Sequence, residues 1–330
     1  MKVKEEETSI SELVKGNYKE KKYKYSIIIP TYKRAQLLKT TLLSAINQTT
    51  TQDYEIVVVD NEAIDSEESI KTDTQIVIEE CLVDNLFYYR NKVNVGMTGN
   101  WNQGIKLARG EYITILHDDD WLEPNFLEEV DKKICGNQML IFKPRIRDYR
   151  DCEGSEKKIK TLKRNIRGAI DNIFKSRKIN AKDYFLRNPA YGTLGVVLNR
   201  EVVCELGGFD EKLYPIMDYA LLFQYCCQEG AFLSKKKVTN YRIAQNESLK
   251  VAKVTPKAMY DYRKCVYQKE SSYLKKCYKY IDELYVHDID IAEKAWGCCI
   301  EKPIFYEEIK NSVKYKLFKV FFSVYILFRV

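Results

Sequence analysis

Three adjacent aspartates follow an apolar strand in the segment YITILHDDDW, which runs from residue 112 to residue 121. The β-branched and aromatic residues before Leu116 predict a buried strand, and a turn at Arg109 and Gly110 precedes it. Like charges repel strongly in a cleft with little water, so three carboxylates at this strand end favour a bound cation. Mg²⁺ and Mn²⁺ are the ions that such oxygen ligands suit. A solvated acidic loop that caps a helix beginning near Pro124 is the alternative interpretation.

Strand-like and helix-like segments alternate on both sides of this cluster. Strands are predicted at residues 25–29, 55–59, 86–89, 112–116, 139–142 and 192–199. Helices are predicted at residues 35–48, 74–81, 98–108, 124–134 and 219–228, and from residue 255 onward. Such alternation is typical of a parallel, doubly wound α/β sheet, whose ligands gather at the carboxyl ends of the strands. Pro30, which stops the first strand, and Asp60, Asn91 and Asp118 each follow a strand, so we expect them along one edge of the sheet.

The composition indicates a soluble protein of a reducing compartment. Of 330 residues, 45% are hydrophobic and 31% are charged, and the net charge is +7. The ten cysteines include no Cys-x-x-Cys pair, and the chain begins with charged and polar residues in place of a signal peptide. The two histidines argue against a zinc site and against a histidine-dependent hydrolase. We therefore expect a cytoplasmic protein that carries unpaired thiols.

Three regions follow one another along the chain. Residues 1–24 are predicted to form a charged leader, frayed or helical, and residues 25–250 to form the sheet domain. Residues 251–330 are predicted to form a helical extension whose tail, residues 310–330, combines basic and aromatic side chains with no acidic residue. A second basic segment covers residues 143–187, and it is either a solvated face or a surface that attracts anions.

Several polar residues near predicted strand and helix ends are candidates for ligand contacts. Asn91, Asn94, Asn100 and Asn102 surround Gly96, where they serve turns and a helix cap or else line an edge that binds a nucleotide or a sugar. The glycines form neither a Gly-x-Gly-x-x-Gly fingerprint nor a P-loop, which leaves the dinucleotide-binding and NTPase interpretations without support.

Two residues further along have equally open roles. Asp218 precedes an apolar helix, so it is either an N-cap or a general base in a cleft. Arg242 is either an ordinary surface arginine or a bidentate partner of a diphosphate.

Taken in order, these segments resemble the family-2 glycosyltransferases, which are inverting enzymes of the GT-A fold. The resemblance covers about residues 25–248, two thirds of the chain. It rests on SIIIPTYKR at 26–34, SAINQT at 44–49, EIVVVDN at 55–61, NVG at 94–96, NWNQGI at 100–105, ARGEYI at 108–113, GGFDE at 207–211 and the Asp-Tyr pair at 218–219. Three positions depart from the family pattern. Asp60 is followed by Asn-Glu-Ala in place of Asp-Gly-Ser, His117 replaces the first acid of the cluster, and residues 241–246 lack a histidine.

The resemblance implies a fold and a set of site residues. The fold is a GT-A, Rossmann-like, mostly parallel sheet flanked by helices, with a nucleotide-binding half at 25–120, an acceptor half at 121–250 and a helical C-terminal extension. Asp218 is the implied catalytic base, and Asp119, supported by Asp120, is the implied ligand of Mn²⁺ or Mg²⁺. The implied nucleotide-binding residues are Pro30, Tyr32, Asp60, Asn61, Asn94, Asp118 and Arg242.

The implied reaction is a single, inverting displacement at the anomeric carbon of a nucleotide sugar, for which UDP is the expected nucleotide. The expected acceptor is a hydroxyl of a saccharide or a lipid-linked saccharide, in the synthesis of a surface polysaccharide. No nucleic-acid partner is expected. The apolar run at 317–330 is too short to cross a bilayer, and we expect the tail at 310–330 to lie on an anionic membrane at the cytoplasmic face. Packing of the tail on its own domain is the alternative.

Two other classes of protein remain as alternatives. A sugar-1-phosphate nucleotidyltransferase also uses such a sheet with acidic metal ligands, but it needs a glycine-rich loop after the first strand, where this chain has Pro-Thr-Tyr-Lys-Arg. A non-catalytic membrane-docking module would account for the basic tail. Loss of Asp119 or Asp218 would favour it, and both residues are present.

Overall fold

The computed structural model describes residues 10–17, 21–63, 71–149, 176–244, 247–269 and 271–329. Most of the basic segment at 143–187, and the start of the leader, lie outside the described residues. The chain forms two compact units. The first comprises Met1–Arg147, Ala190–Glu211 and Ser234–Arg242, and the second comprises Asp148–Pro189, Lys212–Leu233 and Ile243–Val330. These units interleave along the chain, whereas the boundaries expected at 25, 120 and 250 are consecutive. Those boundaries stay a prediction.

Strands and helices alternate through most of the described chain. The strands are β1 Ser11–Lys15, β2 Tyr23–Thr31, β3 Tyr54–Asp60, β4 Leu86–Asn91, β5 Gly110–Ile115, β6 Trp121–Leu122, β7 Met139–Phe142, β8 Arg145–Asp148, β9 Arg177–Ile179, β10 Val196–Asn199, β11 Ala231–Ser234 and β12 Thr239–Ile243. The helices are α1 Ala35–Ile46, α2 Asp73–Glu79, α3 Gly96–Leu107, α4 Phe126–Asp131, α5 Ala181–Leu186, α6 Arg200–Glu205, α7 Met217–Glu229, α8 Glu247–Val251, α9 Thr255–Lys269, α10 Ser271–Tyr278, α11 Ile281–Trp296, α12 Tyr306–Asn311 and α13 Val313–Arg329.

The first unit is built on a sheet with strand order β1-β4-β3-β2-β5-β10-β7. The four strands from β4 to β5 are parallel, as predicted, but β1, β10 and β7 pair antiparallel with their neighbours. The parallel arrangement predicted from the alternation of strands and helices is therefore found in these four strands, and the strands that flank them run antiparallel. A smaller sheet has the order β6-β12-β8.

The parallel strands are continuous apolar runs because both of their faces are covered. Residues 27–29 of β2 and 56–59 of β3 are at most 1% exposed, which is the pattern expected of strands buried on both sides. Helix α3 packs on β2 and β3. Gly104 permits this close packing, since a Cβ there would lie 2.3 Å from Cγ2 of Ile28. The core of the first unit thus lies directly beneath the carboxyl ends of its parallel strands.

Three predicted element boundaries are wrong. Strand β2 continues through Pro30 to Thr31, because its pairing with β5 ends at Ile28 and Pro30 has no ladder partner there to lose. Residues 11–15 of the leader, expected to be frayed or helical, form an edge strand that pairs with β4. Pro124 precedes the N-cap residue of α4, Asn125, and so does not occupy the first turn of that helix.

A buried ion pair joins two strands at the opposite end of this sheet. Glu55 is fully buried, and its carboxylate accepts hydrogen bonds from Nε and Nη2 of Arg109 at 2.8 and 2.6 Å. Ser26 and the backbone N–H of Arg109 donate to the same carboxylate. Every oxygen of this buried charge is therefore compensated, and removal of the arginine would leave it without a counter-ion.

Replacement of Arg109 by methionine is expected to lower the free energy of unfolding by about 3–5 kcal/mol, because Glu55 would remain buried and unpaired. Urea denaturation followed by circular dichroism measures the loss. The double variant Arg109→Met/Glu55→Gln should recover part of it. Arg145→Met, which removes the exposed partner of Glu123, serves as the control and should cost less than about 1 kcal/mol. If Arg109→Met and Arg145→Met lowered the free energy of unfolding by equal amounts, the stabilising role of the buried Arg109–Glu55 pair would be contradicted.

The second unit is largely helical in its described part. Strands β9 and β11 pair antiparallel, and Arg263 of α9 is buried with its guanidinium on the carbonyl oxygen of Phe185 at 2.9 Å and on the carboxylate of Asp288. Helix α13 packs one face inward through Tyr315, Phe318 and Phe322, where the Phe322 ring meets His287 edge-on. Among the described residues, no helix combines the length and apolar character needed to cross a membrane.

Candidate active site

The acidic cluster follows β5 at the carboxyl end of the parallel strands. The backbone N–H of Leu116 still pairs with β2 through the carbonyl oxygen of Ile28 at 2.9 Å. Past that point Asp118 turns to the end of β2 and accepts a hydrogen bond from Thr31 Oγ1 at 2.9 Å. Asp118 and Asp119 are nearly buried, and Asp120 is fully buried. The structure therefore brings the predicted cluster to the predicted edge of the sheet.

Arg34 faces this cluster in the first unit. Its Nη1 lies 3.0 Å from Oδ1 of Asp118 and 3.1 Å from Oδ2 of Asp119. The arginine occupies the N-cap position of α1, directly after the loop that leaves β2. The sequence-based site did not include it, although it stands in the segment SIIIPTYKR and its charge is the only signal that could have suggested it.

Asp120 is held differently from its two neighbours. Its Oδ1 accepts the backbone N–H of Arg242 at 2.8 Å. Its Oδ2 is buried without a hydrogen-bond partner, and Nδ1 of His117 lies 3.3 Å from it. The imidazole of His117 stacks on Trp101 at 5.3 Å, and its Nε2 lies 2.9 Å from Thr193 Oγ1. This leaves a buried carboxylate oxygen that is available to an additional ligand.

The protonation of the cluster reflects its low exposure to water. Burial raises the pKa of Asp118; the positive charge of Arg34 opposes this shift and the negative charge of Asp119 adds to it. Burial likewise raises the pKa of Asp120 above the ordinary value for an aspartate. For His117 burial lowers the pKa, but the neighbouring carboxylates, Asp120 foremost, outweigh it and raise the pKa above its usual value. Negative charge is therefore in excess here, and an added cation would be stabilised.

The donor set of this cluster fits a divalent metal ion. One donor atom each from His117, Asp119 and Asp120 lies within 4.8 Å of the others. Two carboxylates and an imidazole suit Mn²⁺, and Mg²⁺ accepts the carboxylates. The unpartnered Oδ2 of Asp120 is an independent sign of a missing ligand. Asp119 and Asp120 are the ligands predicted from sequence, and His117 is a third that the sequence interpretation treated only as a departure from the family pattern.

Three of the predicted nucleotide-binding residues, Asp60, Pro30 and Tyr32, lie at the same edge of the sheet as the acidic cluster. Asp60 is buried, accepts a hydrogen bond from Tyr88 Oη at 2.8 Å, and pairs in register with Thr31 of β2. Burial raises the pKa of the Asp60 carboxyl. Tyr32, which directly follows β2, is 46% exposed, whereas Pro30 within β2 is buried. Of these two predicted residues, Tyr32 is thus the accessible one.

Asn61 and Asn94 belong to an amide network inside the protein. The Nδ2 of Asn61 donates to Asn94 Oδ1 at 2.8 Å and to the carbonyl oxygen of Gly96 at 3.0 Å. Its Oδ1 accepts from Asn91 Nδ2 and from the backbone N–H of Val95. All four hydrogen-bonding positions of the Asn61 amide are therefore used within the protein, and this side chain fixes the loop before α3. Although the N-cap residue of α3 is Val95, the Oδ1 of Asn94 accepts the backbone N–H of Gly96, the first residue of that helix, at 2.9 Å.

Arg242 lies beside the cluster on β12. Its Nε donates to the backbone carbonyl of Asp119 at 2.9 Å, and its guanidinium stands over the Trp121 ring at 5.3 Å from the centroid. Arg242 therefore holds the backbone of Asp119 through Nε and the side chain of Asp120 through its backbone N–H. The interpretation as an ordinary surface arginine does not account for this position.

The segment GGFDE at 207–211 is anchored on α3. Asn102 exchanges two hydrogen bonds with the backbone of Phe209, both at 2.9 Å, and the Phe209 ring meets Trp101 edge-on. Gly208 has φ +75°, and a Cβ there would lie 2.6 Å from Asn102 Oδ1. Trp101 contacts both His117 and Phe209, so one side chain links the acidic cluster to this loop. Apart from the tryptophan itself, no pattern in the sequence indicated this link.

Asp218 lies in the second unit, in the first turn of α7. The N-cap residue of that helix is Ile216, and no side chain caps it, so the N-cap alternative for Asp218 is not what the structure contains. The carboxylate is half-buried and accepts the backbone N–H of Tyr219 at 2.7 Å. Its negative charge contributes to the raised pKa of the buried Tyr184 hydroxyl, which burial causes in the first place.

Several known proteins are similar to this chain in sequence. The chain is 24% identical over 211 residues to an uncharacterised glycosyltransferase of Haemophilus influenzae, a match that covers 64% of each chain. It is 28% identical over 229 residues to the GalNAc(5)-diNAcBac-PP-undecaprenol beta-1,3-glucosyltransferase of Campylobacter jejuni, which covers 68% of this chain and 67% of that one. Against the Bacillus subtilis putative glycosyltransferase EpsH the match is 31% over 105 residues, or 28% of that protein's length. The chain thus spans less than two thirds of several of these relatives.

Solved structures share the fold at low sequence identity. The S. aureus TarS 1–349 structure in complex with UDP-GlcNAc superposes with a TM-score of 0.57 at 16% identity, over 89% of this chain and 77% of that one. The mannosyltransferase PcManGT from Pyrobaculum calidifontis, in complex with GDP-Man and Mn²⁺, gives 0.56 at 14% identity, over 93% and 86% of the two chains. The predicted GT-A architecture is confirmed.

The family model described as Glycosyl transferase family 2 matches residues 26–194, which include β2, β3, β5 and the whole acidic cluster. This is more than half of the chain, and it contains the strand ends at which the site residues of the first unit meet. The chain belongs to glycosyl transferase family 2.

Proposed function

We propose that this protein is an inverting glycosyltransferase. It moves a sugar from a nucleoside diphosphate sugar, with UDP as the nucleotide, to a hydroxyl group of a saccharide or lipid-linked saccharide. The observation that carries the proposal is the buried cluster of Asp118, Asp119 and Asp120 at the carboxyl ends of the parallel strands. The buried Oδ2 of Asp120, which has no hydrogen-bond partner, offers a ligand to a cation. The two arginines beside the cluster, Arg34 and Arg242, offer positive charge to an anionic ligand. The UDP-GlcNAc and the GDP-Man with Mn²⁺ named for the two structural neighbours support a nucleotide-sugar donor.

Each residue of the first unit has a distinct role in this proposal. Asp119 and Asp120, with His117, would hold Mn²⁺ or Mg²⁺, which when bound neutralises charge on the leaving diphosphate. Asp118 and Asp60 face the ribose and the base, with Pro30 and Tyr32 along the same edge. Asn61 and Asn94 act by fixing the loop before α3. Arg242 positions the backbone of Asp119 and the side chain of Asp120 and is close enough to the cluster to pair with the diphosphate.

Asp218 is the proposed general base. A carboxylate that takes the proton of the acceptor hydroxyl allows a single displacement, which inverts the configuration at the anomeric carbon. Its carboxylate is half-buried in the first turn of α7. The name of the Campylobacter jejuni relative, which specifies an undecaprenol-linked acceptor, supports a lipid-linked saccharide and a role in surface polysaccharide synthesis.

A panel of nucleotide sugars tests the proposal directly. The purified protein is incubated with each donor and MnCl₂, with and without lipid-linked or free saccharide acceptors. Release of a nucleoside diphosphate and a product of inverted anomeric configuration by NMR are the expected results. Formation of a nucleotide sugar from a sugar 1-phosphate and a nucleoside triphosphate, with pyrophosphate as the second product, would instead establish the nucleotidyltransferase alternative. Failure to use any donor would contradict the proposal.

The proposed location is the cytoplasmic face of the membrane, bound through the tail at 310–330. The outward face of α13 carries an apolar stripe of Leu317, Val320, Phe321 and Val324, which are 49–70% exposed. Their spacing places them on one side of the helix, opposite the buried Tyr315, Phe318 and Phe322. Lys316 and Lys319 are exposed on the same helix. A stripe of this kind next to basic residues is suited to the headgroup region of an anionic bilayer.

The double variant Val320→Ser/Phe321→Ser is expected to weaken binding to phosphatidylglycerol vesicles by about tenfold or more, because two large apolar side chains no longer enter the bilayer. Deletion of the tail is avoided, since it would also remove buried residues. Cosedimentation at low and high salt measures binding, and high salt should release the wild-type protein. Ile304→Ser, which alters another fully exposed apolar residue, is the control. Equal recovery of the wild type and the double variant in the supernatant at low salt would exclude the stripe as a membrane contact.

A further inference from the structure

Arg34 and a divalent metal ion would use the same carboxylate. Arg34 Nη1 lies 3.1 Å from Oδ2 of Asp119, and Asp119 also belongs to the donor set with His117 and Asp120. Two cations that share one carboxylate repel each other, and this repulsion is strong where the side chains are nearly buried. Metal binding to the cluster therefore acts against the resident guanidinium.

The three carboxylates differ in which of their oxygens have partners within the protein. Both oxygens of Asp118 have partners, Arg34 on Oδ1 and Thr31 on Oδ2. Asp120 has an oxygen with no hydrogen-bond partner. The Oδ2 of Asp119 accepts a hydrogen bond from Arg34. The arginine thus compensates the Asp118–Asp119 side of the cluster, whereas His117 faces Asp120.

The guanidinium stays charged in this setting. An arginine side chain remains protonated in proteins, and this one lies against two carboxylates. The side chain keeps 33% of its surface exposed, so it has room to exchange one acceptor for another. A diphosphate is a strong acceptor for an arginine fork, which would relieve the competition for Asp119.

We propose that Arg34 is a resident counter-cation that weakens divalent-metal binding to the nucleotide-free protein and couples metal binding to binding of the nucleoside diphosphate. This inference rests on the proposed function, because it assumes that a nucleoside diphosphate enters this edge of the sheet. Coupling is reciprocal, so the nucleotide tightens metal binding by the same factor by which the metal tightens nucleotide binding. The protein would thereby hold its metal mainly when the donor is present.

Calorimetric titration of MnCl₂ into the full-length protein tests the inference without any turnover. Arg34→Gln should bind Mn²⁺ about tenfold more tightly than the wild type in the absence of nucleotide, which corresponds to about 1.4 kcal/mol. Arg34→Lys keeps the charge and should stay within about threefold of the wild type. Lys39→Gln is the matched control, since it removes one exposed cation from α1 that pairs with Glu80, and it should leave the affinity unchanged.

The same titrations in saturating UDP measure the coupling. UDP should raise the Mn²⁺ affinity of the wild type, and most of this increase should be lost in Arg34→Gln. Mn²⁺ binding by Arg34→Gln that is no tighter than in the wild type overturns the inference, as does a wild type that binds no Mn²⁺ even in saturating UDP. If Arg34→Gln does not fold, the wild type still decides: an Mn²⁺ affinity that UDP leaves unchanged overturns the coupling. A protein that uses no nucleotide sugar contradicts the proposed function, whereas an active enzyme with the wrong Arg34→Gln response contradicts only the role of Arg34.

Discussion

Replacement of Asp119 by asparagine is expected to reduce turnover of a nucleotide sugar by at least about a thousandfold, because a metal-dependent charge interaction contributes several kcal/mol to the transition state. Asparagine has nearly the same shape and can still accept a hydrogen bond from Arg34, so the fold should persist. Mn²⁺-dependent UDP binding should be lost with activity. Initial rates with the donor found in the panel, together with calorimetry of UDP in the presence and absence of MnCl₂, measure both effects.

The control for this variant is Asp53→Asn, which removes an exposed carboxylate paired with Lys21 in the same unit. It should retain wild-type rates. Circular dichroism of Asp119→Asn should match that of the wild type. Full activity of the wild-type protein in excess EDTA would disprove the metal dependence, whatever the variant does.

Replacement of Asp218 by asparagine is expected to lower kcat by about 10²–10⁴-fold, the range that general-base catalysis contributes. Donor affinity should change little, because the carboxylate interacts with the acceptor proton in the transition state and not with the bound donor. Steady-state kinetics with saturating acceptor separates kcat from the KM of the donor.

Asp261→Asn provides the comparison for this second prediction, since Asp261 is an exposed aspartate on α9 paired with Lys257 within the same unit. Its kcat should equal that of the wild type. If Asp218→Asn keeps its kcat and only its melting temperature falls, the carboxylate acts on the first turn of α7 and not on the acceptor.

The apolar runs of the sequence were sufficient to predict the parallel part of the fold. Buried strands such as β3 are uninterrupted because both faces are covered, and this is visible as a run of Ile and Val. The helix boundaries were less accurate, as Pro124 illustrates, because one proline is compatible with a loop before a helix as well as with its first turn. The edge strand Ser11–Lys15 was missed because its residues are mostly polar and its pairing with β4 supplies the stabilisation.

The candidate site was predicted in part. Strand ends follow from the strands, so Asp60 and Asp118 could be placed at one edge, and the observed hydrogen bond from Thr31 to Asp118 is consistent with this. The use of the Asn61 amide could not be predicted, since its four partners all lie in residues 91–96, a segment at least 30 positions further along the chain. The distinction between the two faces of α13 was also hidden, because nearly the whole circumference of that helix is apolar in sequence.

By itself the sequence determined the family, the buried parallel strands and the presence of an acidic cluster at their ends, since all of these depend on local pattern and on motif order. Only the tertiary structure decided which groups compensate that cluster. Arg34 is 84 residues from Asp118 along the chain, and Arg242 is 122 residues from Asp120. Local periodicity reports that a residue is buried, but the partner of a buried charge depends on the path of the chain between them. For this reason the competition between Arg34 and a metal ion for Asp119 could be inferred only once the loop after β2 and the end of β5 were seen together.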